Sequence, residues 1–334
     1  MKVLVTGGSG FIAAHVIDSL LQGGHNVVFT ARTASKADHI LQNHQNIPKD
    51  RLSYVIVEDI AKENAFDEAV KSDPPFDAVL HTASPFHFNV TDPKKDLLDP
   101  AIVGTTGILK SIKSYAPSVK RVVVTSSFAA IVNPKQTPEV YDESCWNPVT
   151  MEEALKTDPS TAYRGSKTFA EKAAWDFVEK EKPNFDLCTA NPPLVIGPVV
   201  HQFDSLTSLN TSNENVRDMI QGKFKDGLPP TRVALWVDVR DIALAHVRAM
   251  ERPDAGGKRF FVTAGFFTNS EVADIIKKNF PDLVSKLPDN YDAQSKEFPY
   301  KIDNSRSKEV LGLQYRSLEE SITDLVKSLK AAGA

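Results

Sequence analysis

The chain has 334 residues, 41% of them hydrophobic, enough to bury a sizeable core in one large unit or two closely joined ones. Its net charge of −4 is small and the two signs are mixed along the chain, which excludes a basic stripe for nucleic acid or an anionic membrane surface. Two cysteines, Cys145 and Cys188, are too few for a disulfide scaffold and lack metal-ligand spacing, so a reducing compartment is expected, with no metal.

Residues 3–6 form an apolar run too short for a signal segment or a membrane span, which makes the cytoplasm the expected address. Further strand-like runs lie at 26–31, 52–57, 78–81, 121–125 and 186–190, and most are separated by helix-period segments. Strands such as "KVLVT" and "RVVVTSS" are aliphatic on both faces, so helices must cover both sides of a parallel sheet. The expected fold class is therefore α/β, a doubly wound parallel Rossmann sheet. After Asn191-Pro192-Pro193 the pattern loosens into a polar stretch to about Arg217 and a loop at 222–231. A helix-like "DVRDIALAHVRAM", a strand-like "KRFFVTA" and two more helical patterns follow. We expect residues 1–190 to bind a dinucleotide and residues 191–334 to form mainly a smaller substrate-binding lobe, with an approximate boundary that the chain can cross back over.

The first strand enters Gly7-Gly8-Ser9-Gly10-Phe11-Ile12-Ala13 and then an amphipathic run. In that context Gly7 permits the tight turn, Gly10 lets the backbone approach a pyrophosphate, and Ala13 is small enough to seat the helix on the sheet. The helix start then offers N–H groups to phosphate. The second strand ends Thr30-Ala31-Arg32, without the carboxylate that would hold a ribose 2′-hydroxyl. Arg32, with Lys36 nearby, suits a 2′-phosphate, so NADPH/NADP is the expected cofactor. After the third strand, Asp59 either accepts from an adenine amino group, with Ile60 against the ring, or caps the next turn. At the fourth strand's end, Thr82, Ala83 and Ser84 are small enough for the dinucleotide to lie against the backbone; His81 reads as a core histidine.

Tyr163 and Lys167 stand at i and i+4 on one helix face. An ammonium beside the phenol is expected to lower its proton affinity and make Tyr163 a usable general acid, while Lys167 can also hold the nicotinamide ribose. Ser126-Ser127 closes the fifth strand, and one of these hydroxyls can polarise the carbonyl oxygen that Tyr163 protonates.

With "TGGSGFIA" and "YRGSK" in place, the sequence resembles the extended short-chain dehydrogenase/reductases along nearly its whole length. The segments "HTASPFHF", "ESCWNP", "AYRGSKTFAEKAAWDF", "NPPLVIGP" and "VDVRDIALAH" are most similar to fungal NADPH-dependent methylglyoxal and ketone reductases, and more distantly to dihydroflavonol reductases. The resemblance implies Ser127, Tyr163 and Lys167 as the catalytic group. It implies cofactor contacts at Gly7, Ser9, Gly10, Phe11, Ile12, Arg32, Lys36, Asp59, Ile60, Thr82, Ala83, Ser84, Thr125, Pro192 and Val195. Tyr163 and Lys167 also face the dinucleotide in this reading, and Ser212 lies near it. Phe86 and Phe128 are implied as an apolar substrate wall, with ordinary core aromatics as the alternative; Trp146 and Trp236 are left open. The family commonly has a third glycine where this chain has Ala13. The activity so implied is reduction of aldehydes and ketones, including methylglyoxal, diketones, ketoesters and aryl ketones, by a monomer or homodimer. Nucleotide-sugar epimerase or dehydratase chemistry and non-catalytic NADP(H) sensing are the alternatives. Against the first, residues 199–215 carry no Lys or Arg to hold a diphosphate; against the second, a sensor has no need of Tyr163 and Lys167 together.

Overall fold

The computed structural model describes residues 1–84, 90–156, 158–200 and 209–333. Phe86 lies outside the described residues. The first part of the chain contains β1 (Lys2–Thr6), α1 (Phe11–Gln22), β2 (Asn26–Ala31), α2 (Ala34–Asn43), β3 (Leu52–Ile56), β4 (Ala78–His81), α3 (Asp99–Tyr115) and β5 (Arg121–Thr125). It continues with β6 (Val140–Tyr141), α4 (Met151–Ala154), α5 (Pro159–Glu181), β7 (Asp186–Asn191) and β8 (Leu194–Ile196). The remainder is α6 (Glu214–Ile220), β9 (Leu235–Asp238), α7 (Val239–Glu251), β10 (Arg259–Phe261), β11 (Gly265–Phe266), α8 (Asn269–Asn279), β12 (Lys301–Ile302), α9 (Ser305–Glu309) and α10 (Leu318–Ala331).

The central sheet has seven parallel strands in the order β3-β2-β1-β4-β5-β7-β10. Alternation along each strand explains the two helical layers. Val3, Val5, Leu80 and Val123 point into a core shared with α1 and α7, whereas Leu4, Val79, Val122 and Val124 point into one shared with α3 and α5. The expected doubly wound sheet is thus present, and its strand order reverses between β1 and β4, the point where such sheets open a ligand crevice.

The seventh strand is a finding of the structure. "KRFFVTA" supplies β10, which pairs with β7 from Arg259↔Thr189 to Phe261↔Asn191, and α7 covers the same sheet. The chain therefore crosses back after Asn191, and residues 191–334 do not all belong to the lobe. The lobe comprises the three-stranded sheet β11-β9-β8 with α6, α8 and α10 around their own apolar cluster, while β6 and β12 pair as a short ribbon. Among the described residues, no helix is long and apolar enough to cross a membrane.

Candidate active site

The glycine turn is tied to the rest of the sheet by its backbone. Gly7 adopts φ +72°, and a Cβ there would meet the Ala83 Cα at 2.9 Å. Its N–H donates to Thr30 Oγ1 (2.9 Å), and the Gly10 N–H donates to Gly7 O (2.9 Å). Gly8 is needed for packing, because a Cβ would lie 2.6 Å from the Phe29 ring. Gly10 gives α1 no side-chain cap and its first turn holds no carboxylate, so the positive end of the helix dipole faces the crevice unneutralised. Ser9, Phe11 and Ile12 are half-buried along this turn, and Ala13 is buried against the sheet. We expect Gly7→Ala to destabilise the fold by about 1–2 kcal/mol from the left-handed backbone alone, with dinucleotide affinity falling too. Urea unfolding and a fluorescence titration with NADPH check the two halves separately.

Arg32 and Lys36 are exposed beyond β2, and among the described residues neither is held in an ion pair. Thr33 caps α2 by accepting from the Lys36 N–H (3.4 Å), which keeps both cations at the helix start. Asp59 Oδ1 accepts from the Ala61 N–H (2.9 Å), capping the turn after β3, and Ile60 packs against Gly104 on α3. Thr82 donates to Thr6 O (2.5 Å), and the Ala83 N–H donates to Thr6 Oγ1 (3.1 Å), drawing the end of β4 onto the glycine turn.

Helix α5 starts at Pro159, four residues before Tyr163. Asp158 accepts from the Ser160 and Thr161 N–H groups and Pro159 occupies the first turn, so a capping signal fixes the start. Tyr163 comes one turn into the helix and Lys167 a turn later. Gly165 between them is required, since a Cβ would sit 2.3 Å from that of Ala154 on α4. Facing them, Ser126 and Ser127 point opposite ways. Ser126 Oγ donates to Glu171 Oε2 (2.5 Å), whereas the Ser127 hydroxyl accepts from the Ala129 N–H (3.1 Å), lies 3.5 Å from Pro192 O and is near enough to the Tyr163 phenol to favour its ionised form.

The electrostatics correct one expectation. Burial among Leu97, Leu98, Ile102 and Phe169 pushes the Tyr163 phenol above its ordinary range, and the neighbouring Ser127 hydroxyl only partly opposes this. The Lys167 Nζ donates to Ser84 Oγ (3.1 Å). Burial brings the Lys167 ammonium down to about 8, with the Glu171 charge working the other way. Tyr163 is thus firmly protonated at neutral pH, the state a proton donor requires. His81 is buried, with Nδ1 2.8 Å from Thr6 Oγ1, and desolvation, reinforced by Lys167, pushes its pKa down to about 3. Among the described residues its Nε2 has no hydrogen-bond partner, and its side chain lines a small cavity shared with Ser84, Lys167 and Glu171.

Several residues implied by resemblance occupy packing positions. Phe128 is 8% exposed, stacked on Phe261 (5.2 Å, 13°) and edge-on to Tyr141 (5.4 Å, 83°). One face is thus taken by Phe261, and the ring packs in a cluster with Ile131, Tyr141 and Leu235. Trp146 lies over the Arg259 guanidinium (3.7 Å) and Trp236 is buried in the lobe's core. Thr125 Oγ1 donates to His246 Nε2 (2.6 Å), whose Nδ1–H is engaged by Ile242 O, so its hydroxyl is turned to α7. Val195 is buried in the core cluster with Val237, and Ser212 accepts from Asn210 (2.7 Å) in the turn before α6. Pro192 O accepts from the Phe128 N–H (2.8 Å) and fixes the turn after Ser127. Sequence reasoning missed Glu171, Asn191 and Arg259; the available signal was a carboxylate one further turn along the face that carries Tyr163 and Lys167.

Residues 3–265 match the NAD dependent epimerase/dehydratase family. The chain is similar to the "Ketoreductase azaE" of Aspergillus niger, 52% identical over 98% of this chain and 97% of that one. It is also similar to the "NADPH-dependent methylglyoxal reductase GRE2" of Saccharomyces cerevisiae, 40% identical over 98% of both. Among solved structures, Gre2 of Candida albicans in complex with NADPH superposes with a TM-score of 0.92 at 40% identity, covering 100% of each chain. By sequence along most of its length, this chain belongs to the NAD dependent epimerase/dehydratase family.

Proposed function

We propose that the chain is an NADPH-dependent reductase of small aldehydes and ketones, with Tyr163 as proton donor, Ser127 as the hydroxyl that orients the carbonyl oxygen, and Lys167 as the cation beside them. The observation that carries the reading is the meeting of the Ser127 and Tyr163 hydroxyls at the end of β5, with Lys167 one turn further along the same helix. The likeness to reductases named for ketones and for methylglyoxal supports the same chemistry.

The residues at the crevice fit NADPH. The glycine turn and the uncapped start of α1 suit a pyrophosphate, and Arg32 and Lys36, exposed and unpaired among the described residues, suit the 2′-phosphate. When bound, the dinucleotide supplies the hydride. The protein's part is to place a carbonyl oxygen within reach of both hydroxyls. The Ser127 hydroxyl then donates to the oxygen as negative charge develops on it, and the phenol passes its proton to it as the alcohol forms. Lys167, buried and held at Ser84, favours the phenolate left behind and leads toward the cavity beneath it. A reducing cytosol, where NADPH is kept abundant, suits this direction.

Loss of absorbance at the reduced-nicotinamide band, followed against methylglyoxal, diacetyl, isovaleraldehyde and an aryl ketone, tests the reading. Rapid oxidation of NADPH and slow oxidation of NADH is the expected result. No turnover of any carbonyl despite tight NADPH binding would overturn it, and saturable binding of a UDP-sugar in the same preparation would replace it with the epimerase class.

A further inference from the structure

We propose that Glu171 is a positioning residue: a single buried carboxylate that clamps the Ser127 segment to the helix carrying Tyr163 and Lys167. The inference rests on those three residues being the reacting group.

Glu171 stands one turn beyond Lys167 on α5, and its side chain is wholly buried. Oε2 accepts from Ser126 Oγ (2.5 Å) and Asn191 Nδ2 (2.7 Å). Oε1 accepts from Arg259 Nε (2.6 Å), Thr189 Oγ1 (3.0 Å) and Trp175 Nε1 (3.3 Å). Only an ionised carboxylate can take so many donors, since a protonated one would turn its own O–H against them. Arg259 supplies the countercharge, and it is itself held over Trp146 while donating to the carbonyls of Glu143 and Cys145. One side chain thereby joins α5 to the ends of β5, β7 and β10.

The clamp reaches the reacting atoms by two routes. Asn191 Nδ2, bonded to Glu171, also faces Ser127 O (3.3 Å), and Ser126, the residue before, is bonded to Glu171 directly. The backbone on both sides of the Ser127 side chain is therefore anchored to the carboxylate, leaving the Ser127 hydroxyl turned to Tyr163. Tyr163 is fixed two turns away on the helix that carries Glu171. The separation of the two hydroxyls is set through this carboxylate, so a change there should alter turnover without touching any group that meets the substrate. A misplacement of 1 Å at a reacting centre costs about 100-fold in rate.

The test is Glu171→Gln, which keeps volume but puts an amide among donors, read beside Asn191→Ala, which removes one anchor and leaves the buried ion pair intact. For Glu171→Gln we expect kcat for carbonyl reduction to fall about 10- to 100-fold, with KM and NADPH affinity little changed. The pH limb of alcohol oxidation should also move to lower pH. Among the described residues, the titratable groups beside the Tyr163–Lys167 pair are Glu171 on its own helix, whose countercharge Arg259 lies beyond it on β10, and neutral His81 on β4. Removing the negative one leaves Arg259 uncompensated, which favours release of the pair's proton. Asn191→Ala should lose part of the turnover with the limb unmoved. Wild-type kcat in both variants overturns the proposal. So does a Glu171→Gln protein whose activity falls only in step with its folded fraction while Asn191→Ala is fully active. A fully active Tyr163→Phe control would instead sink the reading of the reacting group.

Discussion

Replacing Tyr163 by phenylalanine is expected to lower kcat for carbonyl reduction by about 10²–10⁴-fold, the range spanned by loss of a positioned general acid. NADPH binding should survive, because phenylalanine fills the same apolar slot between Leu97, Ile102 and Phe169. A fluorescence titration with NADPH beside steady-state kinetics separates the two effects, and equal losses of both would count against the acid role. The raised proton affinity of Tyr163 also sets the pH dependence. Reduction consumes the phenol's proton, so its rate should hold through neutrality and fall as alkalinity removes that proton. Oxidation of the alcohol needs the phenolate and should rise over the same interval, which paired pH–rate profiles would display.

The second large effect is expected at Arg32. Exchange for aspartate places a negative charge where the 2′-phosphate would lie and offers a carboxylate to a ribose hydroxyl. We expect kcat/KM with NADPH to fall about 10- to 100-fold, as for loss of a charge-assisted contact, while that with NADH rises. Because Arg32 and Lys36 are exposed, the wild-type preference for NADPH should weaken as salt is added, and the variant should respond less. An NADPH preference untouched by Arg32→Asp would remove the guanidinium from the cofactor site. Lys36 alone would then be the cation to test.

Most of the central sheet was legible because its strands are buried on both faces and must be written in aliphatic residues, as in Val3–Leu4–Val5 and Val122–Val123–Val124. The Tyr163–Lys167 pair was legible because helical geometry alone puts i and i+4 together. Other features depend on contacts remote in sequence. A strand of three residues such as β10 does not declare which sheet it will join, and Arg259 had no visible partner until the fold brought it to Glu171, 88 residues away. The direction of the Tyr163 shift follows from burial among side chains of separate segments, Leu97, Ile102 and Phe169, which no local pattern displays. Phe128 adjoins the serine in sequence, but its stacking on Phe261 of β10 depends on a contact remote in sequence.

The return of the chain to the edge of the sheet has a consequence for modularity. A fragment ending at residue 190 would contain the glycine turn, Ser127, Tyr163 and Lys167, yet it would lack Arg259, the cation that neutralises Glu171. Stripping the partner from a buried ion pair costs about 3–5 kcal/mol, and the fragment would also present β7 as a raw edge. The nucleotide-binding half is therefore not a cassette that can be cut out or exchanged between relatives at the obvious seam. On the ribosome, its reacting centre is completed only after β10 has emerged and docked, so chains truncated before that point should accumulate as inactive, protease-sensitive species.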